Sequence, residues 1–93
     1  MLSRDQKKSL QEAVLEFMAA RHKQTFIVSF LASQNGVGRL VDFKFEDVDV
    51  AEAIAVLCGL GLVRETRPWG SAVKDYQITD DGAKWRYERQ HET

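Results

Sequence analysis

Residues 49–82 read DVAEAIAVLCGLGLVRETRPWGSAVKDYQITDDG. Asp49 and Glu52 stand at capping-box spacing, with Val48 and Ala53 placed as a hydrophobic staple, so a helix is expected to begin there. It should run to about Leu60, because Gly61 sits where a left-handed C-terminal stop is wanted. Two runs, 62–67 and 73–78, flank the turn residues Pro68-Trp69-Gly70-Ser71 and read as the strands of a hairpin. Thr79 is placed to cap a last helix. Asp80 and Asp81 then lie at its positive end and Arg86 and Arg89 toward its negative end, as the helix dipole favours.

Upstream, Ser3 and Gln6 form another capping box. Leu10, Val14, Phe17, Met18 and Arg21 follow one helical face, while Lys7, Lys8, Glu12 and Glu16 take the other. A long amphipathic helix ending within 21–24 follows. Residues 25–36, TFIVSFLASQNG, support two patterns. Phe26, Ile27, Phe30 and Leu31 have helical spacing, with Thr25 as a cap and Asn35-Gly36 as a stop. Phe26, Val28 and Phe30 also alternate as a strand would. A helix is the expectation, since FIVSFL then falls largely on one side. Gly36-Val37-Gly38 reads as a flexible break, and 40–45 as a short extended segment available to the later hairpin.

Ninety-three residues suit one domain, 1–93. With 44% hydrophobic and 29% charged residues the chain belongs with soluble globular proteins. Its net charge of −1 creates no global positive field toward nucleic acid or anionic lipid. By segment, residues 1–24 carry five basic and three acidic side chains, 25–63 two and five, and 64–93 six and six. The centre is negative and the flanks hold the cations. Cys58 is the only cysteine, which excludes an internal disulfide and fits a reducing, cytoplasmic setting. No apolar run approaches the ~20 residues that span a bilayer. His22 and His91 lack partners at metal-ligand spacing, and Asp80-Asp81 and Glu46-Asp47-Asp49 fit helix ends better than a calcium loop. No phosphate loop or nucleophile signature occurs. No enzyme activity, cofactor or metal is expected.

Leu57, Leu60, Gly61, Leu62 and Val63, followed by the hairpin and by Tyr76-Gln77-Ile78-Thr79-Asp80-Asp81-Gly82, resemble the winged helix-turn-helix regulators of bacteria. There a leucine-rich helix ends in Gly-Leu-Val, a wing follows, and a Tyr-x-Ile/Leu-Thr-x-x-Gly step starts the closing helix. The resemblance covers the last half of the chain through these motifs and the first half through helix order. It implies an α+β fold: a three-helix core, a small antiparallel sheet with a wing hairpin, and a C-terminal helix. It also implies DNA binding, with the third helix in the major groove and the wing on the backbone. The connection between second and third helices is longer than the 3–4 residue turn of a minimal helix-turn-helix.

Wound at 3.6 residues per turn, 49–61 puts Val50, Ala51, Ile54, Leu57 and Cys58 on one side and Glu52, Ala55, Val56 and Gly59 on the other. The second set holds none of the donors that read base edges. Glu46, Asp47, Asp49 and Glu52 gather where DNA would lie, and a carboxylate 4 Å from a phosphate is repelled by about 1 kcal/mol even with water-like screening. The wing is more favourable: Arg64, Arg67 and Lys74 offer charge to phosphates, Trp69 stacks or folds back on the ribbon, and Arg39 and Lys44 flank it. Two functions follow. One is a small DNA-binding regulator or accessory factor, dimeric, contacting DNA through Arg39, Lys44, Arg64, Arg67, Trp69 and Lys74. The other is a protein-interaction or dimerisation module using Glu52, Ala55, Val56 and Gly59, with Trp85 on the last helix as a further contact.

Overall fold

Ser3 and Gln6 start the first helix as their spacing predicts. The Gln6 N–H donates to Ser3 Oγ at 3.2 Å and the Ser3 N–H to Gln6 Oε1 at 3.0 Å. A computed structural model describes residues 2–66 and 73–91, and α1 spans Arg4–Ala19. The helix stops before the expected 21–24. Arg21 closes it from outside, lying over the Phe17 ring at 3.9 Å and donating to the Phe17 carbonyl at 3.1 Å. A cation there suits the negative helix end.

The two patterns in residues 25–36 are used one after the other. Phe26 is extended and pairs with Tyr76, each N–H donating to the other's carbonyl at 2.8 Å. Only then does the chain wind into α2 (Val28–Leu31), one turn long. Thr25 is not the cap; Ile27 is, with no side-chain bond. The helix expected across the whole segment is therefore shortened, because Phe26 gains two backbone bonds by leaving it. Its buried ring stacks on Phe30 at 5.8 Å and meets Phe17 edge-on at 5.2 Å. A 3-10 turn, Val37–Arg39, stands in place of the flexible break, with Val37 fully buried. The expected extended segment at 40–45 does not form a strand. Phe26 holds the place beside the hairpin, and Phe43 and Phe45 instead pack edge-on at 6.5 Å against the core.

Helix α3 (Asp47–Gly59) begins earlier than expected. The box is shifted one register upstream: Asp49 Oδ2 accepts the Glu46 N–H at 2.8 Å. Asp49 is thus the inner member of the pair, and Val48, expected as a staple, faces outward. At the other end Gly61 adopts φ 76°, donating to the Cys58 carbonyl at 3.1 Å, and Leu62 donates to the Leu57 carbonyl at 3.0 Å. These are the two bonds of a Schellman stop, which a Cβ at Gly61 would strain.

Strands β1 (Val63–Thr66) and β2 (Asp75–Ile78) pair antiparallel, from Val63 opposite Ile78 to Thr66 opposite Asp75. Thr79 then ties the start of α4 (Asp80–His91) to the exit of α3. Its N–H donates to the Leu62 carbonyl at 3.0 Å, its hydroxyl donates to the Gly61 carbonyl at 2.7 Å, and the same oxygen accepts the Gly82 N–H at 3.1 Å. Gly82 is buried at this crossing. A Cβ there would collide with the Leu62 carbonyl oxygen and stand 2.6 Å from Ile78 Cγ1. The Thr-x-x-Gly step is therefore a hydroxyl that serves two elements and a residue small enough to let them touch.

The core lies between α1 and α3. Leu10, Val14 and Met18 meet Val50, Ile54 and Leu57, and Leu31, Val37, Val63 and Ile78 close the sides. Among the described residues no polar or charged side chain is buried. Three helices, a hairpin extended by the Phe26 bridge, and a closing helix make an α+β winged-helix arrangement.

Candidate functional site

Helix α3 has two faces of different character. Inward point Val50, Ala53, Ile54 and Leu57, all buried, with Cys58 half-buried. Ala51, expected inside, is exposed, and Ala53 takes its place. The inner face is turned toward α1 because α1 supplies the surface against which it packs. Outward lie Glu52, Ala55, Val56 and Gly59, as the winding predicts. The exposed apolar surface is wider than that set: Val48 is 57% exposed, Val56 44% and Leu60 64%.

These residues form two adjacent ridges at i, i+4 spacing. One carries Val48, Glu52, Val56 and Leu60; the other carries Ala51, Ala55 and Gly59. The first ridge is bulky and the second nearly flat. Among the described residues nothing lies within 4 Å of a Cβ built on Gly59, so none of their contacts requires that glycine. At the N-terminal end Glu46 and Asp47 are exposed, while Asp49 is engaged in the cap. Val48, Ala51 and Leu60 were not placed on the outward face by sequence, which took Val48 as a staple and Ala51 as an inner residue; continuing the i±4 rows from Glu52, Ala55 and Val56 finds all three.

Beside this face a groove of about 910 Å³ runs between the N-terminal parts of α1 and α3, lined among others by Leu2, Lys7, Phe45, Val48 and Glu52. Lys44 lies in the same groove, among Glu46, Asp49 and Glu52. Arg39 lines a second groove with Glu12, Glu16 and Trp85. Both flanking cations are thus set among carboxylates. On the ribbon, Arg64 Nε donates to Gln77 Oε1 at 3.1 Å, and Lys74 Nζ stands 3.8 Å from Glu65 Oε2. Arg67 and Trp69 lie outside the described residues. The cations expected to act together are spread over three places. Trp85 is half-buried against the core, with its remaining surface in the second groove.

Burial, then the charge of Glu65, raises the Cys58 thiol pKa, so at neutral pH it is a protonated packing group. His22 is exposed and stands 3.4 Å from Asp80 at the start of α4. Among the described residues no three His, Cys, Asp or Glu side chains are placed to hold a metal, and no helix is long and apolar enough to cross a membrane.

The sequence matches no protein-family model and no curated protein sequence. Among solved structures, the fold is similar to that of a mutant of Lactococcus lactis ZitR in its apo form, with a TM-score of 0.66 and 21% identity over 92% of this chain. The chain spans 58% of the length of that protein. The similarity is one of fold, and it is the winged-helix arrangement of three helices, hairpin and closing helix that the two chains share.

Proposed function

We propose that this winged helix works through protein contact at the outer face of α3, in the place where a DNA-reading domain presents donors to base edges. One observation carries the reading: the face offers Val48, Ala51, Ala55, Val56 and Leu60 to solvent, and the only charge among them is a carboxylate, Glu52. Bases require donors and acceptors, and phosphates require cations; an apolar face with an acidic rim satisfies neither. A helix apolar on both sides is a covered helix. The test is a photo-crosslinking amino acid at Val56 in living cells, with Ser9 on α1 as the control position. Protein adducts from 56 and none from 9 support the reading. Nucleic-acid adducts, or no adduct at all, refute it.

A second reading keeps DNA as partner through the ribbon and its flanks, with Arg39, Lys44, Arg64, Arg67, Trp69 and Lys74 contacting the backbone. It is favoured by the exposure of Arg64 and Lys74 on the hairpin and by the winged-helix fold itself. Binding to random duplex should then fall steeply between about 50 and about 200 mM salt, and Arg64→Ala should flatten the salt slope by about one unit. Absence of any gel shift at low salt removes this reading.

A further inference from the structure

We infer that the occupant of the α3 face is a second copy of this chain, its α3 packed antiparallel across a two-fold axis between Ala55 and Val56. This rests on the protein-contact reading and commits it to one partner. The two ridges carry the inference. About that axis three of the four bulky residues meet a small one: Leu60 lies over the other copy's Ala51, Val56 over Ala55 and Glu52 over Gly59, while Val48 lies beyond the end of the flat row. The raised row of one helix enters the flat row of the other, which is ridge-into-groove packing at i±4 spacing. An isologous contact needs this self-complementarity, and few helix faces possess it.

Charge selects the same orientation. Glu46, Asp47 and Glu52 crowd the N-terminal half of α3, and the next exposed charge beyond the C-terminal half is Arg64. A parallel pair would bring the acids of both copies together. The antiparallel pair sends each cluster toward the other copy's helix exit and opposes the two helix dipoles. Gly59 fits the same account. Glycine is a poor helix former, no neighbour among the described residues needs its small size, and under the two-fold it faces the longest side chain of the opposite ridge. The area sets the strength. One face of a helix of 13 residues is smaller than the roughly 800 Å² per partner of a standard stable interface, so association should be weak, with a Kd on the order of 10–100 µM.

The test is sedimentation equilibrium on the whole chain from about 5 µM to about 1 mM, bracketing that Kd. The weight-average mass should climb from one copy toward two. Val56→Arg should hold it at one copy throughout, with unchanged circular dichroism. Gly59→Ala should weaken association by about tenfold, through overpacking, while leaving thermal stability equal or higher. Opposite movement of the two readouts separates a lost contact from a damaged fold. Orientation is read in a Cys58→Ser background: Ala51→Cys mixed with Leu60→Cys should oxidise to the mixed disulfide, whereas a parallel pair gives the homodisulfides. A single-copy mass at every concentration, or a dimer indifferent to Val56→Arg, overturns the inference. If position 56 nevertheless crosslinks to a different protein in cells, the protein-contact reading stands and only the second copy as occupant falls.

Discussion

Gly82→Ala should be among the most damaging single-methyl changes in this chain, although it replaces the second-worst helix former with the best. In an open helix position the exchange gains about 1 kcal/mol. At position 82 the added Cβ meets the Leu62 carbonyl oxygen, stands 2.6 Å from Ile78 Cγ1 and 3.1 Å from the Leu62 carbonyl carbon. Only the Ile78 atom belongs to a side chain, and Ile78 is itself buried at 3% exposure, so neither neighbour yields cheaply. Overpacking of this kind costs roughly 1–3 kcal/mol. Relief by backbone shift would stretch the Thr79-to-Leu62 bond at 3.0 Å and the Gly82-to-Thr79 cap at 3.1 Å, each worth about 1 kcal/mol. Against the gain in propensity, the net loss is about 2–4 kcal/mol, a fall in Tm of roughly 10–30 °C for a domain of this size. Urea unfolding followed by far-UV circular dichroism measures it, with Gly59→Ala as the matched control in open space. A change at 82 smaller than about 0.5 kcal/mol would mean that α4 does not approach the α3 exit at Leu62 as closely as described, and the account of the Thr-x-x-Gly step would fail.

Phe26→Ala removes a buried ring and its contacts with Phe17 and Phe30, so unfolding by urea should show a loss of about 3–5 kcal/mol, at the top of the range for this chain. Asp49→Ala leaves the Glu46 N–H without its carboxylate partner and should cost about 1 kcal/mol in the same assay; Asp47→Ala, which makes no such bond, should cost less. The raised Cys58 pKa has a definite sign: the folded chain holds the thiol proton more tightly than the unfolded one. Its contribution is therefore intact below the unfolded thiol's pKa and lost as pH rises through the folded value, so stability falls on the alkaline side and Cys58→Ala abolishes that part of the slope. Iodoacetamide at neutral pH should label Cys58 more slowly than an unfolded control, as mass spectrometry will report.

Where local chemistry decides, the sequence was readable. The Ser3–Gln6 box, the Gly61 stop and the Thr79 cap are each satisfied by atoms within a few residues or by one tight crossing and lie where expected, and the two strands lie inside the expected runs 62–67 and 73–78, as Val63–Thr66 and Asp75–Ile78. Where two local solutions compete, a distant partner chose between them. Phe26 could wind or extend with nearly equal merit until Tyr76, 50 positions away, offered two backbone bonds. Acidic residues at 46, 47, 49 and 52 permit a helix start in more than one register, and the earlier one prevailed. Alternation at 40–45 suggested a strand, but with Phe26 beside the hairpin those aromatics had only the core to cover. For the candidate site, the winding of α3 found the outward residues Glu52, Ala55, Val56 and Gly59. It misplaced Ala51 because the direction of a helix's inner face is set by its neighbours, and periodicity fixes only the spacing. The scatter of Arg39, Lys44, Arg64 and Lys74 among separate carboxylates and a glutamine was invisible to a reading made by chain segment.

The residues of α3 that hold the fold are not the residues it presents to solvent, so the outer face can change while the winged-helix architecture is kept. Val50, Ala53, Ile54 and Leu57 hold the helix to α1, and none of them reaches the outer surface. The exposed residues bear almost no folding role. Val48, Val56 and Leu60 leave about half or more of their surface in water, a state that gains nothing for an isolated chain and lowers its solubility. Gly59 weakens the last turn with no compensating contact among the described residues. The acids divide along the same line: Glu46 and Asp49 are accounted for by the cap, whereas Glu52, one turn further on, is not. Stability alone would place Lys, Glu and Ala on such a face, and DNA recognition would place Arg, Asn, Gln and Ser. Ala51, Glu52 and Ala55 suit the first task, whereas Val48, Val56, Gly59 and Leu60 suit neither. On the proposed reading, a surface costly to the free chain and unsuited to bases is explained by what covers it, and the pairing of its bulky row with its flat one makes another α3 the simplest cover.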